Sequence, residues 1–437
     1  MSERSSEAAS RAQSSDRGAG SPAGDFFSSR WIERPGHVSE LDEPTLPQGF
    51  RAAGVAAGIK PSGAVDLGLL VSDAPETTSA ARFTRSGTQA APVLLTKERC
   101  RLGALRAVVV NSGNANAATG RPGLDNAAKM QGSGAMVARV LEDQVAVAST
   151  GVIGVPLPMN AITSGLAAAA RSLSVDGAEA FSDAIRTTDA FAKRACLEVS
   201  LPGGKVRLTA QAKGAGMISP GFATLLCFVQ TDAALSAETC DLLLGVCVKR
   251  SFERVSVDGQ LSTSDTVILQ ASGASGVTIE PESEDELRFG EALDALLRQL
   301  ALLVVRDGEG ARRVGRVVVR GGEEDSVHRV ARAVADSSLV KTALYGGDPN
   351  WGRIIQAVGM AMPGSAPLDV EIAIEGVQVC ARGSYVPHDA DALSQAVKGD
   401  EVQYEIGLPG EGAETELFFS DLGHEYVTID AHYTTSK

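Results

Sequence analysis

Aromatic residues are scarce, at 4% of this chain of 437, so its core has to be filled by aliphatic side chains. Charge of the positive sign is in deficit: 40 Lys and Arg stand against 54 Asp and Glu, a formal net charge of -14. With no Lys/Arg cluster interleaved with aromatics, a nucleic-acid surface is not expected. No apolar run is long enough to span a bilayer, and no secretory h-region is present. The six cysteines, at 100, 196, 227, 240, 247 and 380, form no CxxC and no metal-ligand spacing. In a chain of ordinary size that reads as free thiols in a reducing cytosol and no metal site. Glycine-rich loops are plentiful, yet none has the GxGxxG or P-loop spacing after a strand, which leaves no nucleotide site. The five histidines are scattered and none shares a motif with a nucleophile, so a Ser-His-Asp hydrolase is disfavoured.

What is present is glycine, 47 residues of it, with 44% hydrophobic residues: a globular composition with many tight turns. Strand-like runs at 107–110, 144–148, 205–208, 224–229, 266–269 and 316–319 are interspersed with helical stretches at 161–171, 181–185, 237–252, 285–305 and 328–335. The alternation is not strict, so the pattern is mixed α/β (α+β) rather than a doubly wound parallel sheet. Cys240, Leu243, Leu244 and Cys247 recur at helical spacing after Ser236, a good N-cap, which places both thiols toward a core. Residues 1–46 are rich in Ser, Ala, Gly and Pro without apolar periodicity and read as a disordered tail. Their acidic residues balance their arginines, unlike a mitochondrial transit peptide.

The most informative segment is Lys213-Gly-Ala-Gly-Met-Ile-Ser-Pro-Gly-Phe-Ala-Thr-Leu-Leu-Cys227. Its glycines permit backbone conformations closed to residues with a Cβ, so the Ala223-Thr224 peptide can bend toward attack by its own hydroxyl. An N-to-O acyl shift and hydrolysis of the ester would leave Thr224 as a new N-terminus, whose amine could act as general base for the adjacent hydroxyl. The alternative is a buried threonine at the start of a strand.

Four further segments accompany it: Val108-Val-Val-Asn-Ser-Gly-Asn-Ala-Asn-Ala-Ala-Thr-Gly120, Ser149-Thr-Gly-Val-Ile-Gly154, Asp307-Gly-Glu-Gly310 and Gly347-Asp-Pro-Asn-Trp-Gly-Arg353. In this order, from about Gly49 to Thr435, the chain resembles the glutamate N-acetyltransferase/ornithine acetyltransferase family of arginine biosynthesis. The resemblance implies a layered sandwich of two sheets between helices, as in the L-aminopeptidase/ornithine acetyltransferase-like fold. It also implies one catalytic body cut into an α chain (47–223) and a β chain (224–437), assembled as an α2β2 heterotetramer in the cytoplasm. The implied reaction moves an acetyl group from N2-acetylornithine to glutamate through an acetyl-Thr224 ester. No cofactor is implied; use of acetyl-CoA as a second donor stays open.

Residue by residue, the resemblance puts an oxyanion hole on Thr150 and Gly151, cleavage between Ala223 and Thr224, and substrate contacts on Lys213, Glu309, Asp430, Thr435 and either Thr187 or Thr188. Glu309 would hold an ammonium and Lys213 a carboxylate. The Asn111–Asn116 and Gly346–Arg353 stretches read as structural, with Trp351 a packed anchor. Departures gather near the substrate. Asp430 stands where the family usually has Asn, and Gln260, Leu261 and Ser264 replace Asp, Thr and Asn. A carboxylate at 430 about 4 Å from a substrate carboxylate would be repelled by about 4 kcal/mol at an effective dielectric near 20. A paralogue with another substrate in secondary metabolism, an amidohydrolase or aminopeptidase with the same nucleophile, and a non-catalytic binding protein are the competing readings.

Overall fold

Valine, isoleucine and leucine alternate between two buried faces along the central strands, and that alternation builds the layers. The computed structural model describes residues 25–42, 45–219 and 225–431. One mixed sheet has six strands in the order Val38–Glu40, Lys193–Leu201, Gly204–Lys213, Leu226–Thr231, Thr266–Ala271 and Thr78–Phe83. A second has four, in the order Phe50–Val55, Leu67–Ser72, Ala107–Asn114 and Val145–Val152. Leu226, Phe228 and Ile268 of the first sheet meet Leu70, Val108, Val110, Ala146 and Ala148 of the second in one buried cluster. Cys227, Val229, Val267 and Leu269 point the other way, into a cluster with the helices Ala237–Arg250 and Glu284–Arg306. On the far side of the second sheet, Val109, Val145 and Val147 pack against the helices Ala91–Arg99, Gly120–Ala138 and Met159–Arg171. The result is helix, sheet, sheet, helix: a layered α+β sandwich whose strands are buried on both faces and so read as continuous apolar runs. A third sheet, of seven strands, carries its own core under the helices Glu324–Ala335, Ser338–Gly346 and Trp351–Ala361.

Each helical stretch expected at 161–171, 181–185, 237–252, 285–305 and 328–335 coincides with a helix, although the third ends at Arg250, and the strands differ from expectation mainly in being longer. Ser236 caps its helix by accepting from the Thr239 amide at 3.0 Å, and Cys240 and Cys247 are buried. The 224–229 strand begins, among the described residues, at Leu226.

The expected tail of 1–46 needs correction. Val38–Glu40 is an edge strand antiparallel to Lys193–Leu201. Ile32 and Val38 are buried in the core, with Phe26, Phe27 and Trp31 packed on it. These apolar residues have no regular period because they cap the edge of a sheet instead of forming one face of a helix. Residues 1–24 lie outside the described residues. Among the described residues, no helix is long and apolar enough to cross a membrane.

Candidate active site

The strands Ala107–Asn114 and Val145–Val152 run parallel and end together, with a register shift at Gly113 and Asn114. Gly151 has φ +133°, and a Cβ on it would lie 2.3 Å from the Gly113 carbonyl carbon. Only glycine fits there. The neighbouring asparagines hold this corner: the Asn111 amide donates to the Asn114 carbonyl at 2.9 Å, and Asn114 Oδ1 accepts the Asn116 amide at 2.8 Å. They are structural, as expected.

Lys213 ends the strand Gly204–Lys213 and stands directly opposite Leu226 in the antiparallel ladder. Its ammonium is fully buried and donates to Thr150 Oγ1 at 3.4 Å. Burial lowers its pKa, opposed by the carboxylate of Asp189. The chain then turns at Gly214 and Gly216. A Cβ on Gly216 would come within 2.6 Å of the Glu309 carboxylate, so this glycine leaves the space that Glu309 fills. The Glu309 amide donates to the Ala215 carbonyl at 3.0 Å, tying the 307–310 turn to the glycine-rich segment. Burial raises the Glu309 pKa to about 7; the Thr188 hydroxyl opposes the rise and the nearby Asp430 carboxyl adds to it.

A cavity of about 250 Å³ joins these groups. Thr150, Gly151, Thr187, Thr188 and Lys213 line it, and so do Glu309 and Asp430. Both threonines line it, and Thr188 is the one whose hydroxyl favours the ionised form of Glu309. Of the three altered positions, Gln260 and Ser264 line the cavity, while Leu261 is 40% exposed. Ala223, Thr224 and Thr435, expected as cleavage point, nucleophile and last substrate contact, lie outside the described residues. Leu225 and Leu226, which follow Thr224 in the chain, are buried.

Several residues that sequence reasoning missed hold the cavity in shape. Asp258 accepts the amides of Met217 at 2.6 Å, Ile218 at 3.0 Å and Gln260 at 3.0 Å, pinning the glycine-rich turn. Tyr426, on the helix that carries Asp430, closes another wall. Behind the site lies a buried triad: Lys193 Nζ donates to Asp189 Oδ1 at 2.8 Å and to Asp307 Oδ2 at 2.5 Å. Asp189 also accepts the Gly214 amide at 2.7 Å and the Thr187 amide at 3.0 Å, and Asp307 accepts the Ala190 amide. One lysine thereby clamps the segments bearing Thr187, Lys213 and Glu309. Burial opposes ionisation of Asp189, but Lys193 and Lys213 outweigh it and hold that carboxyl well below the usual range. Asp307, where burial prevails, is raised to about 6. The only sequence signal was that Asp307 opens the Asp-Gly-Glu-Gly motif and Asp189 follows Thr187 and Thr188.

One cavity of about 250 Å³ thus gathers a buried cation, carboxylates and a Thr-Gly corner against the cation, the lining of an enzyme site. The chain belongs to the ArgJ family, whose model matches residues 51–435, and is an acyltransferase. It is 43% identical over 390 residues to the arginine biosynthesis bifunctional protein ArgJ of Nitratidesulfovibrio vulgaris, covering 89% of this chain and 98% of that one. The protein of the same name from Symbiobacterium thermophilum is 41% identical over 395 residues, covering 90% and 98%. Among solved structures, an ornithine acetyltransferase from Mycobacterium tuberculosis complexed with ornithine is 36% identical, covering 43% of this chain and 100% of that chain, with a TM-score of 0.39. The ArgJ structure from Bacillus halodurans is 38% identical, covering 43% and 98%, with a TM-score of 0.39.

Proposed function

We propose that this chain is a self-processed N-acetyltransferase of arginine biosynthesis that carries acetyl from N2-acetylornithine to glutamate on Thr224. The observation that supports it most is the convergence of Lys213, Thr150, Gly151 and Glu309 on one cavity, with Lys213 paired to Leu226, two residues after Thr224 in the sequence. Cleavage before Thr224 frees an α-amine. That amine takes the hydroxyl proton as Oγ attacks the acetyl carbonyl, and returns it to the departing amine of ornithine. Thr150 and Gly151 donate to the oxyanion. Lys213 receives the α-carboxylate, and Glu309 with Thr188 receives the side-chain ammonium of ornithine. Glutamate then enters and takes the acetyl group. One amide is exchanged for a similar one, so no energy-coupling cofactor is needed. The two chains assemble as an α2β2 enzyme of the cytoplasm.

A changed acceptor is the second reading, and Asp430 is the observation that favours it. With Asp258 and Glu309 it gives the described lining of the cavity three carboxyls against the one ammonium of Lys213. That balance suits a cation better than the second carboxylate of glutamate.

Isotope exchange tests the proposal. Labelled ornithine should enter N-acetylornithine without any glutamate present, because the first half reaction runs alone in a ping-pong scheme. Exchange that requires glutamate overturns the acetyl-enzyme. Exchange with no transfer to glutamate, but transfer to a basic amino acid, selects the second reading.

A further inference from the structure

The loop at 56–66 joins two strands of the second sheet, Phe50–Val55 and Leu67–Ser72, and carries one lysine that the scheme above leaves unused. The loop is built on Asp66. That buried carboxylate accepts the amides of Ala57 at 2.7 Å, Ile59 at 2.6 Å and Lys60 at 2.9 Å. Three amides on one carboxylate fix the backbone at Lys60, so its side chain leaves from a set point. The Lys60 ammonium donates to two carbonyls, of Val65 at 3.0 Å and of Arg186 at 2.8 Å. The first closes the loop on itself. The second joins it to the segment that carries Thr187 and Thr188, 126 positions along the chain from Lys60 at the bonded residue.

The two ends of this side chain meet two different walls of the cavity. The stem lies against Gly113, where a Cβ would come within 3.0 Å of Lys60 Cγ. Gly113 stands opposite Gly151 in the ladder, and a Cβ on Gly151 would strike the Gly113 carbonyl carbon. Stem, Gly113 and Gly151 are thus stacked in close contact, and the stem backs the Thr150-Gly151 corner. The ammonium end holds the peptide between Arg186 and Thr187. Lys60 takes its carbonyl, and Asp189 Oδ2 takes its N–H at 3.0 Å. Thr187 and Thr188, which follow, line the cavity. A peptide gripped on both sides keeps one orientation, and the threonines after it inherit that orientation.

We propose that Lys60 is a positioning residue that sets the distance between the Thr150-Gly151 corner and the Thr187-Thr188 turn. The inference rests on the reading that corner and turn together hold N-acetylornithine. Lys60 acts through Gly113 on the corner and through the Arg186 carbonyl on the turn, so each end of its side chain governs one property. Loosening the turn weakens the hold on the side-chain ammonium of ornithine. Loosening the corner slows the acetyl transfer, because a displacement of about 1 Å from the productive geometry costs about 10²-fold in rate.

Two variants separate the ends: Lys60→Met keeps the stem and removes the ammonium, and Lys60→Ala removes both. The readouts are the dissociation constant of ornithine, by titration calorimetry, and the maximal rate per folded protein at which labelled ornithine enters N-acetylornithine. Lys60→Met should bind ornithine about tenfold more weakly, the worth of one hydrogen bond from a charged group, and exchange label at the wild-type maximal rate. Lys60→Ala should bind as weakly and exchange about 10²-fold more slowly. A merely structural role lowers the melting temperature of both variants and leaves binding and rate at wild-type values per folded protein; that result overturns the inference. Equal maximal rates in the two variants overturn it as well. Should Lys60→Met not fold, Lys60→Gln, which keeps a shorter donor without the charge, decides in its place: weaker binding at the wild-type rate supports the inference, and wild-type binding overturns it. A wild type that exchanges no label overturns the reading itself, and the inference with it.

Discussion

Glu309 shows how far single residues could be read from their neighbours in sequence. The Asp-Gly-Glu-Gly turn marked it as a substrate contact, but nothing local announced that Gly216, more than ninety positions earlier, would leave room for its carboxylate. Nor did it announce that burial would raise its pKa to about 7. An ammonium that pairs with Glu309 needs the ionised form, so ornithine should bind more tightly as pH rises through 7. Between pH 6 and 8 the gain should be about tenfold for one group of that pKa. Asp258, Asp430 and Tyr426 face the same carboxyl and shift the midpoint without reversing the sign. Titration calorimetry with ornithine checks this: in Glu309→Gln the gain should flatten, and an equal pH dependence in both forms removes Glu309 from the ammonium site. Thr187 and Thr188 were legible only as a pair. The structure adds that the hydroxyl of the second favours the ionised form of Glu309.

Helices and strands with strong apolar patterns were legible, and those built around small residues were not. The helix Gly120–Ala138 carries glycines at 120, 123, 132 and 134, each costing about 1 kcal/mol against alanine in a helix interior. Sequence reasoning accordingly took the preceding motif as turn and stopped there. Packing overrides propensity: a Cβ on Gly134 would lie 2.5 Å from Val109 Cγ2, so the small residue lets the helix approach the sheet. Trp351 was read rightly as an anchor, being packed against the third core and stacked on Tyr385. That it opens a helix was missed, because Gly-Asp-Pro-Asn before it reads as a turn. The clamp on Lys193 is the element-level feature with the largest stake. Lys193→Met leaves two buried carboxylates without their cation, a loss of about 3 to 5 kcal/mol. Urea unfolding should show that loss, and a midpoint within error of wild type would mean the triad is not what joins the three segments.

At the level of the whole molecule, the sandwich was legible through the family resemblance and the site through ordered motifs scattered over 280 residues, from Thr150 to Asp430. What no motif could supply is how strands from two sheets bring them to one cavity. Thr150 and Gly151 end a strand of the second sheet, while Lys213 ends a strand of the first. Their meeting follows from the face-to-face packing of the two sheets around Phe228, Val108 and Leu70. The same packing holds the start of the strand Leu226–Thr231, two residues after Thr224 in the sequence, against Lys213. The intact mass of the denatured protein, before and after incubation with N-acetylornithine, therefore tests the central claim most directly. The account predicts two chains, one ending at Ala223 and one beginning at Thr224, with a single acetyl group added to the second. One uncut, unmodified chain would contradict it.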